Sequence, residues 1–272
     1  MRMRCVVRLE TVKRIFLNAL ANRLGADAEA IGERLVDLQC QLAVGHVLTM
    51  FHPPFVVNAL RRYDAPMTTR PLFVTPLYEA SLAGEKGAEA FIDDLHDACI
   101  AIAEDDEAGQ AWAYNKGYLG YTSYASLNDL PQRDSLFEAL KRKLDKHAVA
   151  FARDLAFDLA GGKLVMDSLW INILEPGGSH SGHVHPHSVI SGTVYVTIPP
   201  GASALKFEDP RLPMMMAAPT RADDAPETLR PFIYVKPSAG TVLMWESWLR
   251  HEVTTNQADE QRISVSFNYA WR

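Results

Sequence analysis

A chain of 272 residues, 48% hydrophobic and 22% charged, has ample material for a packed core and little of the composition of a disordered tail. Its net charge of −6, with no basic run longer than Lys141-Arg142-Lys143, argues against a nucleic-acid surface. Cys5, Cys40 and Cys99 are odd in number and form no CxxC, which argues against disulfides and a zinc ribbon; the start lacks an apolar signal region and no apolar run suffices to cross a bilayer, so a cytoplasmic protein off the membrane is expected.

The first 68 residues read as a helical extension. Val12, Ile15, Phe16, Leu20 and Leu24 recur at helical spacing up to Gly25, and a second helix from Asp27 carries Ile31, Leu35, Leu38 and Leu42 to about Gly45. Pro53, Pro54 and Pro66 mark a linker, which places the boundary near residue 68, with residues 69–272 as the second unit. The stripe Ile31, Leu35 and Leu38 could make the extension a homodimer contact.

Leu72-Phe73-Val74-Thr75-Pro76-Leu77-Tyr78 opens the second unit as a strand-like segment, and helices are expected over 88–104 and 135–159, the latter packing Phe137, Leu140, Leu144, Val149 and Phe151. Between them residues 114–121 form a Gly- and Tyr-rich loop, in which Tyr114, Tyr118, Tyr121 and Tyr124 read as hydrophobic cover rather than ligand contacts. After Gly161-Gly162 the chain turns β-prone, with strands expected over 164–174, 189–198, 204–207, 232–235, 241–245 and 263–269. Residues 212–230, with Met214-Met215-Met216, are too irregular for a strand and are expected to loop over the mouth of a barrel.

Five of the nine histidines, His180, His183, His185, His187 and His251, fall in this β region. On a strand, residues i and i+2 share a face, so His183 and His185 can offer two imidazoles to one metal, with His251 arriving from a distant strand as the third ligand. His185 with His187 is an alternative pair, and a His-x-His-x-His run also occurs as a solvated loop. In the last strand Arg262, Ser264, Ser266 and Asn268 alternate with apolar residues. If that polar face points inward, Arg262 and Ser264 make a carboxylate receptor, a guanidinium fork with an added hydroxyl; a half-exposed strand would show the same alternation.

These motifs resemble the 2-oxoglutarate/Fe(II)-dependent oxygenase superfamily, with its His-x-Asp/Glu, distal His and Arg-x-Ser. From about residue 70 onward the chain is similar to a bacterial group of uncharacterised 2-oxoglutarate/Fe(II) oxygenases. The likeness rests on the 72–78 opening, His183-Val184-His185-Pro186, Ser191-Gly192-Thr193-Val194-Tyr195, Phe207-Glu208-Asp209-Pro210-Arg211, Trp248-Leu249-Arg250-His251, and Arg262-Ile263-Ser264-Val265-Ser266-Phe267-Asn268. The resemblance implies a mainly β fold, a double-stranded β-helix of jelly-roll, cupin-like form with flanking helices. It implies Fe(II) on His183, His185 and His251, and 2-oxoglutarate on Arg262 and Ser264, with Tyr195 and Asn172 lining its pocket. It implies oxidation of a small-molecule or peptide substrate by O2 with release of succinate and CO2.

His185 stands where the superfamily has Asp or Glu, which leaves a metal there more positive. A cupin-like three-histidine dioxygenase or isomerase that does not use 2-oxoglutarate, and a non-enzymatic β-sandwich binding module, are the rival readings. Glu208, Asp209 and Glu252 read as surface or turn residues.

Overall fold

A computed structural model describes residues 70–272, of which Phe73–Arg272 form a compact unit. The helices expected before residue 68 lie outside the described residues. All of the strand pairings described are antiparallel.

A six-stranded sheet has the order β1-β8-β5-β10-β3-β2, from β1 (Tyr78–Ser81), β2 (Gly120–Thr122), β3 (Leu164–Leu174), β5 (Ile190–Thr197), β8 (Thr241–Glu246) and β10 (Arg262–Trp271). A four-stranded sheet has the order β4-β9-β6-β7, from β4 (His180–His183), β6 (Leu205–Glu208), β7 (Phe232–Val235) and β9 (His251–Val253). Side chains of both sheets line one cavity, as the double-stranded β-helix requires.

Period-two alternation divides the larger sheet into two faces. Leu169, Ile171, Ile173, Val194, Val242, Met244, Ile263, Val265 and Phe267 join the main core. Covering them are α1 (Ala88–Asp105), through Leu95 and Cys99, the short α3 (Leu130–Arg133), through Leu130, and α4 (Ser135–Asp154), through Phe137, Leu140, Leu144, Ala148 and Phe151. Asp134 caps α4 by accepting from the Leu136 amide at 2.6 Å. Each Leu or Phe buried in this way contributes roughly 1.5–3 kcal/mol. Gly192 is required by this packing: a Cβ there would lie 2.4 Å from Cζ of Phe267 on the neighbouring strand.

Several expectations need correction. Val149 is 67% exposed and Ala148 takes its place in the core, because spacing from Leu144 by four rather than five keeps a side chain on one helical stripe. The helix expected to reach 159 stops at Asp154, where the chain leaves helical geometry and Ala156 adopts φ 54. The expected strand over 72–78 is represented only by Tyr78–Ser81, since Pro76 has no N–H for a ladder and Leu72, Phe73 and Val74 are exposed. Much of the expected Tyr-rich loop belongs instead to α2 (Glu107–Lys116) and β2; α2 has no apolar stripe to announce it. Residues 212–230 are irregular apart from 3-10 turns at Leu212–Met214 and Glu227–Leu229, but none of them lines the cavity. Among the described residues no helix is long and apolar enough to cross a membrane.

Candidate metal centre and anion pocket

The side chains between the two sheets begin with a cross-strand pair: His183 closes β4 directly opposite His251 at the start of β9, and their ring centroids are 4.4 Å apart. His185 arrives differently from the expected strand geometry. β4 ends at His183, and His185 sits in the following turn, where its amide donates to the Ser247 carbonyl at 3.0 Å. Its ring stacks on Trp170 at 5.9 Å and on His251 at 5.1 Å. One nitrogen from each of His183, His185 and His251 lies within 4.8 Å of the other two, close enough to hold one metal ion. His187, exposed and at φ 74, is not in this group.

The hydrogen bonds prepare two of these rings as ligands. Nδ1 of His183 is 2.8 Å from the Ser181 carbonyl, and Nδ1 of His251 is 2.9 Å from the Leu249 carbonyl. A carbonyl only accepts, so each Nδ1 carries the proton and each Nε2 keeps its lone pair. Nε2 of His185 is buried without a partner. Burial pushes His251 down to about 3 and His185 to about 4, and lowers His183, with neighbouring histidines adding to the first two shifts; all three are therefore neutral near pH 7. Glu208, Asp209 and Glu252 face away into ion pairs with Arg250, Arg211 and Lys206 at 3.4, 2.7 and 2.8 Å. No carboxylate joins the trio among the described residues.

Arg262 and Ser264 lie on the inner face of β10, in the same cavity. Arg262 is 2% exposed, its guanidinium carbon sits 5.0 Å over the Tyr195 ring, and Nη1 donates to Ser264 Oγ at 3.4 Å. No ion pair with Asp or Glu is formed by Arg262 among the described residues, and its Nε has no hydrogen-bond partner. A buried cation left in that state is costly unless an anion joins it. Burial lowers the Arg262 pKa from its ordinary value but leaves a guanidinium charged at neutral pH. The Tyr195 hydroxyl, also buried and unpartnered, is pushed up to about 12 by burial, against the pull of Arg262, and stays a neutral donor.

Asn172 also lines the cavity, but its amide is engaged within the sheet. It accepts from Thr122 Oγ1 at 2.9 Å and donates to Ser266 Oγ at 3.0 Å. Of the four tyrosines read as cover, Tyr114 is solvent-exposed, Tyr121 is buried with its hydroxyl donating to Asp106 at 2.8 Å, and Tyr124 packs edge-on to Trp170 at 5.1 Å. Tyr118 departs from that reading: it lines the cavity with a buried, unpartnered hydroxyl. His180 lines the same wall, edge-on to Tyr118 at 5.8 Å. Neither stands in a periodic pattern that would have marked it.

The donor set suits a divalent iron, for which neutral imidazoles with open positions are appropriate ligands, and the uncompensated Arg262 suits a carboxylate. Residues 168–268 match a family described as "Putative 2OG-Fe(II) oxygenase". No curated protein matches the chain. Among solved structures, a Pseudomonas putida prolyl-4-hydroxylase is 14% identical, with 72% of this chain and 93% of that one covered and a TM-score of 0.48. HygX from Streptomyces hygroscopicus, with nickel and 2-oxoglutarate bound, is 14% identical over 72% of this chain and 83% of that one, at a TM-score of 0.47. A 2OG-Fe(II) oxygenase-family oxidoreductase from Burkholderia pseudomallei is 18% identical over 40% of this chain and 46% of that one, at a TM-score of 0.31, so the match spans less than half of that protein. Likenesses this distant assign neither a residue nor a substrate.

Proposed function

We infer that this chain, a member of the 2OG-Fe(II) oxygenase family by its residues 168–268, binds Fe(II) through His183, His185 and His251 and hydroxylates a small-molecule or peptide substrate with release of succinate and CO2. The observation that carries the residue assignment is the pairing, in one cavity, of three neutral imidazoles with a buried cation that has no counter-ion among the described residues.

When bound, Fe(II) and 2-oxoglutarate supply the oxidising chemistry toward O2 and a substrate C–H bond. The protein's own part is binding, orientation and exclusion of water. Carbonyls of Ser181 and Leu249 hold the Nδ1 protons of His183 and His251, so both rings present Nε2 without a tautomer change. The Arg262 guanidinium would hold the far carboxylate of 2-oxoglutarate, with the Ser264 and Tyr195 hydroxyls close to that guanidinium. Asn172 braces the floor through Thr122 and Ser266 rather than by direct contact. Trp170 and Trp245, each about 5% exposed or less, pack against His185 and His251 and keep water from the far side of the rings. Three neutral ligands would leave more positive charge on a bound iron than a carboxylate-bearing set, which favours an anionic cosubstrate.

The apolar spacing within residues 1–68 supports a helical extension that pairs two copies, and the lack of CxxC spacing and of basic runs supports a cytoplasmic protein acting away from nucleic acid and membrane.

The test is succinate release from 2-oxoglutarate when O2 is admitted to anaerobic, Fe(II)-loaded protein. Wild type should form succinate, and His251→Ala and Arg262→Ala, shown to be folded, should fall to background. Stoichiometric iron with turnover that ignores 2-oxoglutarate would favour a cupin-type site instead, and no stoichiometric iron would overturn the assignment altogether.

A further inference from the structure

Resting on the reading of Arg262 as the anchor of the cosubstrate, we propose that Tyr118 is an additional cosubstrate-binding residue whose hydroxyl donates to the far carboxylate of 2-oxoglutarate from a segment outside the matched 168–268 region.

A carboxylate offers about four lone-pair sites, and a guanidinium fork occupies two of them, so a buried carboxylate needs further donors. Buried side-chain atoms without partners include Tyr118 Oη, Tyr195 Oη and Arg262 Nε, and all three residues line the one cavity. Tyr118 and Arg262 are near enough to influence each other's ionisation. Burial raises the Tyr118 hydroxyl to about 12, and the charge of Arg262 works in the opposite direction. A hydroxyl protonated at every working pH, beside a cation with no carboxylate partner among the described residues, can donate to an anion and meets no acceptor among those residues.

The local sequence sets this residue in place before any ligand arrives. Helix α2 ends on Gly117, at φ 64, and the Tyr118 amide turns back to the Ala113 carbonyl at 2.9 Å, a Schellman close that puts Tyr118 one residue past the left-handed position. Leu119 then accepts from the Glu175 amide at 3.2 Å. Gly120, at φ 135, lies so near β3 that a Cβ would sit 2.0 Å from the Ile173 carbonyl. On the other side of the ring stand Trp112 and His180, both edge-on, at 6.4 and 5.8 Å. A side chain fixed between a helix cap and a strand edge is preorganised for binding.

The experiment is anaerobic titration calorimetry of the Fe(II)-loaded full chain with two oxo acids: 2-oxoglutarate, and 2-oxopentanoate, which keeps the metal-chelating end but lacks the far carboxylate. Tyr118→Phe removes only the hydroxyl. The expected result is about a tenfold loss of affinity for 2-oxoglutarate, the scale of one hydrogen bond to a charged group, with 2-oxopentanoate affinity unchanged within about twofold. The variant should melt at the wild-type temperature, since the oxygen removed has no partner among the described residues. Unchanged 2-oxoglutarate affinity overturns the proposal, and so does an equal loss for both acids, which would mean a general packing role. If wild type fails to prefer 2-oxoglutarate over 2-oxopentanoate, the Arg262 reading falls and this proposal falls with it.

Discussion

Along β10, Ile263, Val265, Phe267 and Tyr269 alternate with Arg262, Ser264, Ser266 and Asn268, and the two sets end in opposite states. The outward set is closed over by α1 and α4, and even its one polar atom is served, because the Tyr269 hydroxyl donates to Asp145 at 2.9 Å. On the inward set, Ser266 and Asn268 are bonded across the sheet to Asn172 and Ser191, while the Arg262 end is left open. Of the six buried side-chain atoms without a partner among the described residues, five belong to residues lining the cavity: Tyr118, His185, Tyr195, Trp245 and Arg262. An unmade buried hydrogen bond costs roughly 1–3 kcal/mol, so a cluster of them is expected only where a ligand completes the set. One face of this sheet is therefore built for stability and the other for binding.

The largest effect should come from breaking the stable face. Phe267→Ala removes a fully buried ring packed over Gly192 and should cost about 3–5 kcal/mol in denaturant unfolding, while the protein that remains folded binds 2-oxoglutarate normally. A comparable loss of 2-oxoglutarate affinity would show that the faces are coupled. Next comes Arg262→Met on the binding face, which should weaken 2-oxoglutarate about a hundredfold. Because it replaces a buried cation that has no counter-ion among the described residues, the metal-free variant should melt at or above the wild-type temperature. A fall of several degrees would make Arg262 a structural member instead.

Protonation sharpens the same contrast. His180 and His185 at about 4 and His251 at about 3 lie below the ordinary histidine value of 6.5, so the unfolded chain takes up protons first as pH falls. Their contribution to the stability of the metal-free protein is complete above about pH 6.5 and is lost as pH drops from there toward 4 and below. Melting temperatures measured between pH 7 and 4 should decline, and a flat profile down to pH 4 would show that these rings are not buried neutral. The smallest effect belongs to Val149→Lys: at 67% exposed, this position should change stability by no more than about 0.5 kcal/mol, whereas a Lys at Ala148 would be severe.

The β10 alternation was legible in the sequence, but strand periodicity is symmetric, and only the apolar stripes of α1 and α4 determine which face is covered. The long strands β3, β5 and β10 stand out through length and apolar content, with glycines near β3 and β5 and a strict apolar alternation in β10. β2, β4 and β9 are three or four residues long and leave no periodic trace. For the candidate site, the clustering of histidines in the β region singles out His183 and His251, and the polar alternation of the last strand singles out Arg262 and Ser264. His185 was named on a strand argument that does not hold, since its place in the cavity comes from a turn fixed by Ser247. Tyr118 was hidden among tyrosines of equal appearance. What distinguishes it is Gly117 and Gly120 on either side, whose positive φ angles become informative only once the chain path is known.

The most direct test is an anaerobic crystal structure of the protein with Mn(II) and 2-oxoglutarate. The metal should be held by His183, His185 and His251, and the far carboxylate should rest on Arg262. A metal bound elsewhere, or a carboxylate that leaves Arg262 unpaired, would contradict the reading of the inner face as a completed binding site.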